Sequence, residues 1–169
     1  MIESQADIDF FQRELQSFLP DRIFDAHTHL WKAELINWSV PGISGDCGYA
    51  EYQACMRTIH PGRPTEALFI PFVTVENRDK SLVANEWISQ ELEHDRNCRG
   101  LFFVKPEDDP EWIRENVQRL GLHGLKCYHT MSDVTPTWEA GIDAFLPDSF
   151  MKVADEEGWA ITLHIVKSR

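Results

Sequence analysis

Long apolar runs, paired cysteines and an excess of positive charge are all missing from this sequence. The apolar stretches, such as 101–104, are far shorter than the roughly 18 consecutive apolar residues of a membrane helix. A membrane partner is therefore not expected. The four cysteines (Cys47, Cys55, Cys98 and Cys127) form no CxxC pair and are too sparse for a disulfide scaffold, so they read as reduced and structural. Lysine and arginine total 16 against 28 acidic residues, a formal charge of -12. Such a surface repels a phosphate backbone, which excludes nucleic acid as the expected partner, although a bound metal would reverse the field locally. The opening MIESQADIDF is acidic and polar, the opposite of a secretory or mitochondrial leader, which leaves the cytoplasm as the expected compartment. What remains is an ordinary globular composition, 43% hydrophobic and 26% charged, sufficient for the core of one domain.

Along the chain, helical and strand patterns alternate. Ile8, Phe11, Leu15 and Phe18 recur at spacings of three and four, predicting an amphipathic helix over 7–18 that Pro20 ends. A short strand follows over 22–29. Residues 30–48, with Trp31, Trp38, Pro41, Gly42, Gly45 and Gly48, read as a long loop, either a binding loop or a packed surface insertion. Further helices are predicted over 49–60, 81–94, 110–120 and 145–157, with Pro110 opening one and Gly121 and Gly158 closing two. Strands are predicted over 67–75, 100–105, 123–129 and 160–166, almost continuously apolar, as when both faces are buried. Five strands with helical crossovers predict a parallel α/β sheet, with no internal repeat or domain boundary across 1–169.

The chemistry is concentrated at three strand ends. In Ile23-Phe24-Asp25-Ala26-His27-Thr28-His29, alternation puts His27 and His29 on one face, with α-carbons roughly 6.6 Å apart. Two imidazoles so placed can converge on one divalent ion, and a strand's C-terminal end is where parallel α/β folds hold their sites. Asp25 is expected on the same face one step deeper, where it either orients a ligand histidine or caps locally. His164 stands near the end of the fifth strand and is a candidate metal ligand or metal-linked residue. In Gly124-Leu125-Lys126-Cys127-Tyr128-His129, Lys126 and Tyr128 share one face, and Leu125, Cys127 and His129 the other. A lysine inside an apolar strand is costly to bury without a carboxylate, a substrate anion or a metal site. Lys126 is therefore a candidate catalytic residue, as a carbamylated bridge between ions or as a contact for a substrate carboxylate; the plainer reading pairs it with an acidic neighbour at the sheet edge. Lys105 poses the same question. His60, His94 and His123 fall at helix ends or in loops and are expected to be exposed.

Through FDAHTHLW, GLKCYH and ITLHIV, in that order and spacing, the chain resembles the amidohydrolase superfamily, more narrowly its amidohydrolase-related branch of metal-dependent hydrolases and decarboxylases. The resemblance implies an α/β fold of the TIM (β/α)8-barrel type, here only about the first five βα units, with His27, His29 and His164 binding zinc or a related divalent ion and Lys126 a bridge where it is carbamylated. It also implies a strand-six histidine and a strand-eight aspartate, the usual general base, both lying beyond Arg169. The chain is thus expected to be part of a longer domain, with exposed sheet edges that favour self-association, including a homo-oligomer.

The reaction implied is metal-assisted hydrolysis of a small amide, lactone or acid. Non-oxidative decarboxylation on the same site is the alternative, favoured where a substrate carboxylate meets Lys126 or Lys105. A metal phosphoesterase and a catalytically dead remnant are two further readings.

Overall fold

The computed structural model describes residues 5–38 and 44–166. After α1 (Gln5–Phe10), parallel strands and helices alternate. In chain order these are β1 (Ile23–Leu30), α2 (Tyr49–Ile59), β2 (Thr65–Pro71), α3 (Ser81–Glu91), β3 (Arg99–Gly100), β4 (Phe102–Phe103), α4 (Pro110–Arg119), β5 (Gly124–Tyr128), α5 (Asp148–Glu157) and β6 (Ala160–His164). Strands β1, β2 and β3 form one parallel sheet, and β4, β5 and β6 another. The two sheets adjoin at Leu101, whose N–H donates to the Phe69 carbonyl at 3.0 Å, while the His123 N–H donates to the Gly100 carbonyl at 2.8 Å. Strand order follows chain order, as the alternating pattern predicts. Among the described residues β1 and β6 remain edges and no closed barrel forms.

One face of the sheets carries the helices. Ala67, Phe69, Phe102, Leu125 and Cys127 pack there against Tyr52, Ile88, Ile113, Val117 and Phe150. Alternation and register place Ile70, Phe103, Lys126, Tyr128 and His164 on the opposite face. Helix ends follow the local chemistry. Asp109 accepts the Trp112 N–H at 2.9 Å ahead of Pro110, and Gly158 closes α5 at a φ of 69°, a left-handed conformation that favours glycine. The first amides of α2 are met by carboxylates: Gly48 donates to Glu51 at 3.0 Å and Tyr49 to the buried Glu91 at 2.6 Å.

Several predicted segments differ. The strand expected over 67–75 stops at Pro71, and the one expected over 100–105 is interrupted at Leu101, so among the described residues six strands in two sheets replace the expected five in one. The helix expected over 7–18 is α-helical only in α1 and then widens into a π-turn over Phe11–Leu15, where the Gln16 N–H donates five residues back to Phe11 at 2.8 Å. The helix ends at Leu15, so Phe11 is buried while Phe18, in the turn beyond it, is 81% exposed. In the long loop, Trp31 and Cys47 exchange backbone hydrogen bonds at 3.1 and 2.8 Å, and Leu35 is fully buried. The described part is packed at these points, while Trp38 is 41% exposed and its ring lies 5.6 Å from that of Phe72. Pro41 and Gly42 lie outside the described residues.

Asn85 of α3 holds the strand that joins the two sheets. It is fully buried; its amide nitrogen donates to the Phe103 carbonyl at 3.0 Å, and its oxygen accepts the Phe103 N–H at 2.7 Å. Asn85→Leu strands both backbone groups, each costing about 1–3 kcal/mol. Urea unfolding is expected to show a loss of about 2–4 kcal/mol. A loss below about 0.5 kcal/mol, the usual range for inconsequential surface changes, would mean the pair is not structural.

Candidate functional site

One extra residue in β1 shapes the site. Asp25 pairs with Ala67 and Thr28 with Phe69, so three steps on β1 match two on β2. This is a β-bulge, which reverses face alternation across the irregularity. Asp25 therefore registers with Ala67 on the helix side, where its charge reaches Tyr52 and His60, whereas His29 registers with Ile70 on the other face. The expectation that Asp25 shares the face of His29 is corrected. Its carboxylate instead accepts the His27 N–H at 3.0 Å, closing the bulge locally.

His27 and His29 lie edge to face, ring centroids 5.2 Å apart. His29 is half-buried, and its Nδ1, buried, has no hydrogen-bond partner among the described residues. Burial, then the neighbouring His27 and Lys126, push its pKa down to about 4, against an opposing contribution from the Ile70 backbone. His27 is exposed, yet burial of part of its ring and Lys126 lower its pKa, against a smaller opposing effect of Asp25. His164, also exposed, is lowered by burial of part of its ring, then by His129, Lys126 and His27. His27, His29, Lys126 and His164 thus act on one another, and the structure brings together the residues singled out from three strands.

Lys126 sits beneath them, 1% exposed, with no carboxylate paired to it among the described residues. Its Nζ lies 4.8 Å from the centre of the Tyr128 ring, a cation–π contact, and burial lowers its pKa. Tyr128 is fixed in turn by stacking on Phe103 at 5.0 Å and by donating to the Pro71 carbonyl at 3.2 Å. The plainer expectation, pairing with an acidic neighbour, describes Lys105 instead: its Nζ is 3.4 Å from Asp108 and 3.9 Å from Glu107. Cys127 points into the helix-side core, and burial pushes its thiol up to about 12, so it supplies no thiolate near neutrality. His94 and His123 are exposed and His60 is half-buried.

His129 is a second residue that alternation misplaces. The chain leaves β5 at Tyr128 and curls into a 3-10 turn over His129–Met131, so the two-residue period no longer applies. His129 is buried, and its ring lies 5.3 Å from that of His164. The site therefore holds two imidazole pairs, His27–His29 and His129–His164. Among the described residues, no three His, Cys, Asp or Glu side chains are placed together to hold a metal ion. No helix among them is long and apolar enough to cross a membrane. No protein-family model, curated protein or solved structure was found to match the chain.

The depressed value at His29 has a measurable consequence. Its folded pKa of about 4 lies below the ordinary 6.5, so the unfolded chain binds the proton more readily between those values. The stability contributed is complete above pH 6.5 and falls as pH drops toward 4. In ¹⁵N NMR titration, His29 is expected to protonate near pH 4, and His29→Gln is expected to flatten the stability loss between pH 6.5 and 4. A His29 midpoint at 6.5 would contradict the buried environment.

Proposed function

We propose that the histidine cluster is the metal-binding part of a hydrolase site of the amidohydrolase-related type, set on a (β/α)-barrel framework. The observation that carries this reading is His29: half-buried, neutral near pH 7, with an unpartnered Nδ1 and a second imidazole 5.2 Å away. A neutral imidazole with a free lone pair is a ligand for zinc-class ions, and an unsatisfied buried nitrogen is costly to keep without a partner. His27 and His29 offer two nitrogens, a half-site only, since among the described residues no three His, Cys, Asp or Glu side chains are placed together to hold an ion. His27, His29 and His164 are the candidate ligands, at or near the C-terminal ends of β1 and β6, where parallel folds place chemistry. Sequential parallel strands with helical crossovers support the barrel reading at the level of architecture.

A bound divalent ion, zinc above all, would supply Lewis-acid polarisation of a carbonyl and a water acidified to a pKa near 7. The chain's own residues do the rest. Neutral His27 and His29 offer lone pairs without having to lose protons first. Lys126 presents a buried positive charge with no carboxylate paired to it among the described residues, suited to a carboxylate on the substrate. Carbamylation would reverse that charge, converting Lys126 from an anion contact into a metal bridge. The substrate class is a small carbonyl compound: an amide, a lactone or an acid. The unpaired Lys126 also favours a second reading, non-oxidative decarboxylation of a carboxylate-bearing substrate on the same site.

Metal analysis of the purified chain, with His27→Ala alongside, tests the proposal. The expected result is about one zinc-class ion per chain, greatly reduced in the variant, together with metal-dependent turnover of a small lactone or amide that His27→Ala abolishes. Release of CO2 from an aromatic or unsaturated acid in place of hydrolysis would select the decarboxylase. A bound ion without turnover would identify a catalytically dead remnant, and no ion in either protein would overturn the metal-site reading.

A further inference from the structure

Away from the histidines, positive charge gathers around one recess of this acidic chain. The recess measures about 750 Å³, in the size range of small-molecule sites, and is lined by Arg96, Arg99 and Arg119. Glu93 is the one carboxylate that lines it among the described residues. Arg99 opens β3, and Arg119 ends α4, which leads into β5. The recess therefore lies at the N-terminal edge of the parallel strands, opposite the strand ends that carry His27, His29 and His164. Nothing in it depends on the metal-site reading.

Arginine near a helix end has a plain role, since the carbonyls there carry partial negative charge. Arg99 fills it with one nitrogen, Nη1, which donates to the Arg96 and Cys98 carbonyls at 2.9 and 2.8 Å in the turn after α3. Arg119 reaches Asn116 at 2.9 Å and Glu86 at 3.2 Å, both through Nη2, and Glu86 stands outside the recess. Among the described residues no carboxylate pairs with Arg96 or Arg99, and the Arg96 guanidinium has no hydrogen-bond partner. The plain contacts thus leave most N–H groups of three guanidiniums uncommitted. Their charge reaches the rim: burial of part of its ring, then Arg99, lower the pKa of His123, which also lines the recess.

Three guanidinium forks exceed what the two oxygens of one carboxylate can accept, whereas a phosphoryl group offers three. We propose that this recess binds a small molecule bearing a phosphate or diphosphate group, held by Arg96, Arg99 and Arg119.

Calorimetric titration with inorganic pyrophosphate tests it, at about 0.15 M salt to screen general surface attraction. Citrate serves as a carboxylate of comparable charge. The expected result is saturable binding of pyrophosphate, weakened at least about tenfold by Arg96→Gln, which removes charge-assisted hydrogen bonds. Arg96 is the position to change because its guanidinium holds nothing in the fold. Glu93→Gln, which removes the competing carboxylate, is expected to tighten binding. Arg57→Gln, at an exposed arginine outside the recess, is expected to leave it unchanged. Equal weakening by Arg96→Gln and Arg57→Gln would reduce the effect to general charge and overturn the site. Citrate bound as tightly as pyrophosphate would overturn the phosphate assignment, and no binding of pyrophosphate would overturn the proposal as a whole.

Discussion

The bulge between Asp25 and Thr28 decides which side chains of β1 meet the helices and which meet the histidines. Without the extra residue, every position after Asp25 would exchange faces relative to β2. His29 would then register on the helix side of the sheet, and Leu30, now 1% exposed in the helix-side core, would turn toward the polar cluster. The bulge is closed by a contact within β1 itself, the Asp25 carboxylate on the His27 N–H. A short-range hydrogen bond thus fixes a long-range arrangement, because the pairing of β1 with β2 carries the shift to every later residue.

Electrostatics within the cluster follow from that placement. Three histidines with lowered pKa values surround a buried lysine that no carboxylate neutralises among the described residues. Each neutral imidazole avoids adding charge beside Lys126, so the ammonium group and the burial together keep the rings in their donor form. Tyr128 offers the lysine the face of an aromatic ring in place of a carboxylate, a weaker partner that leaves the positive charge available. In a chain of net charge -12, a buried cation with no acidic partner among the described residues is a local exception, and it lies beside the histidine cluster.

The framework holding these groups depends on polar side chains reaching backbone. Asn85 satisfies both groups of Phe103 where the two sheets adjoin, and Tyr128 reaches Pro71 at the end of β2. Buried backbone groups that lack a ladder partner need such substitutes, since leaving them unpaired costs more than a net hydrogen bond returns. These contacts tie α3 to β4 and β5 to β2, and so keep strand ends from different parts of the chain in a common register.

The sequence by itself determined the alternation of helices and parallel strands, because apolar periodicity and Pro, Gly and Asp boundaries act locally. It also determined the pairing of His27 with His29, two residues apart near the end of one strand, and the anomaly of Lys126 in an apolar run. Tertiary structure decided the rest. Periodicity could not reveal the bulge that moves Asp25 away, since an extra residue is defined only against the partner strand. Nor could it reveal the turn that carries His129 to His164, because the two-residue period ends where β5 ends. The first helix shows the same limit: a stripe at spacings of three and four assumes a uniform turn, and the π-turn at Phe11–Leu15 breaks it. Lys105 and Lys126 looked alike as basic residues in or beside apolar strands, and only packing gave the first its acidic partners and denied them to the second.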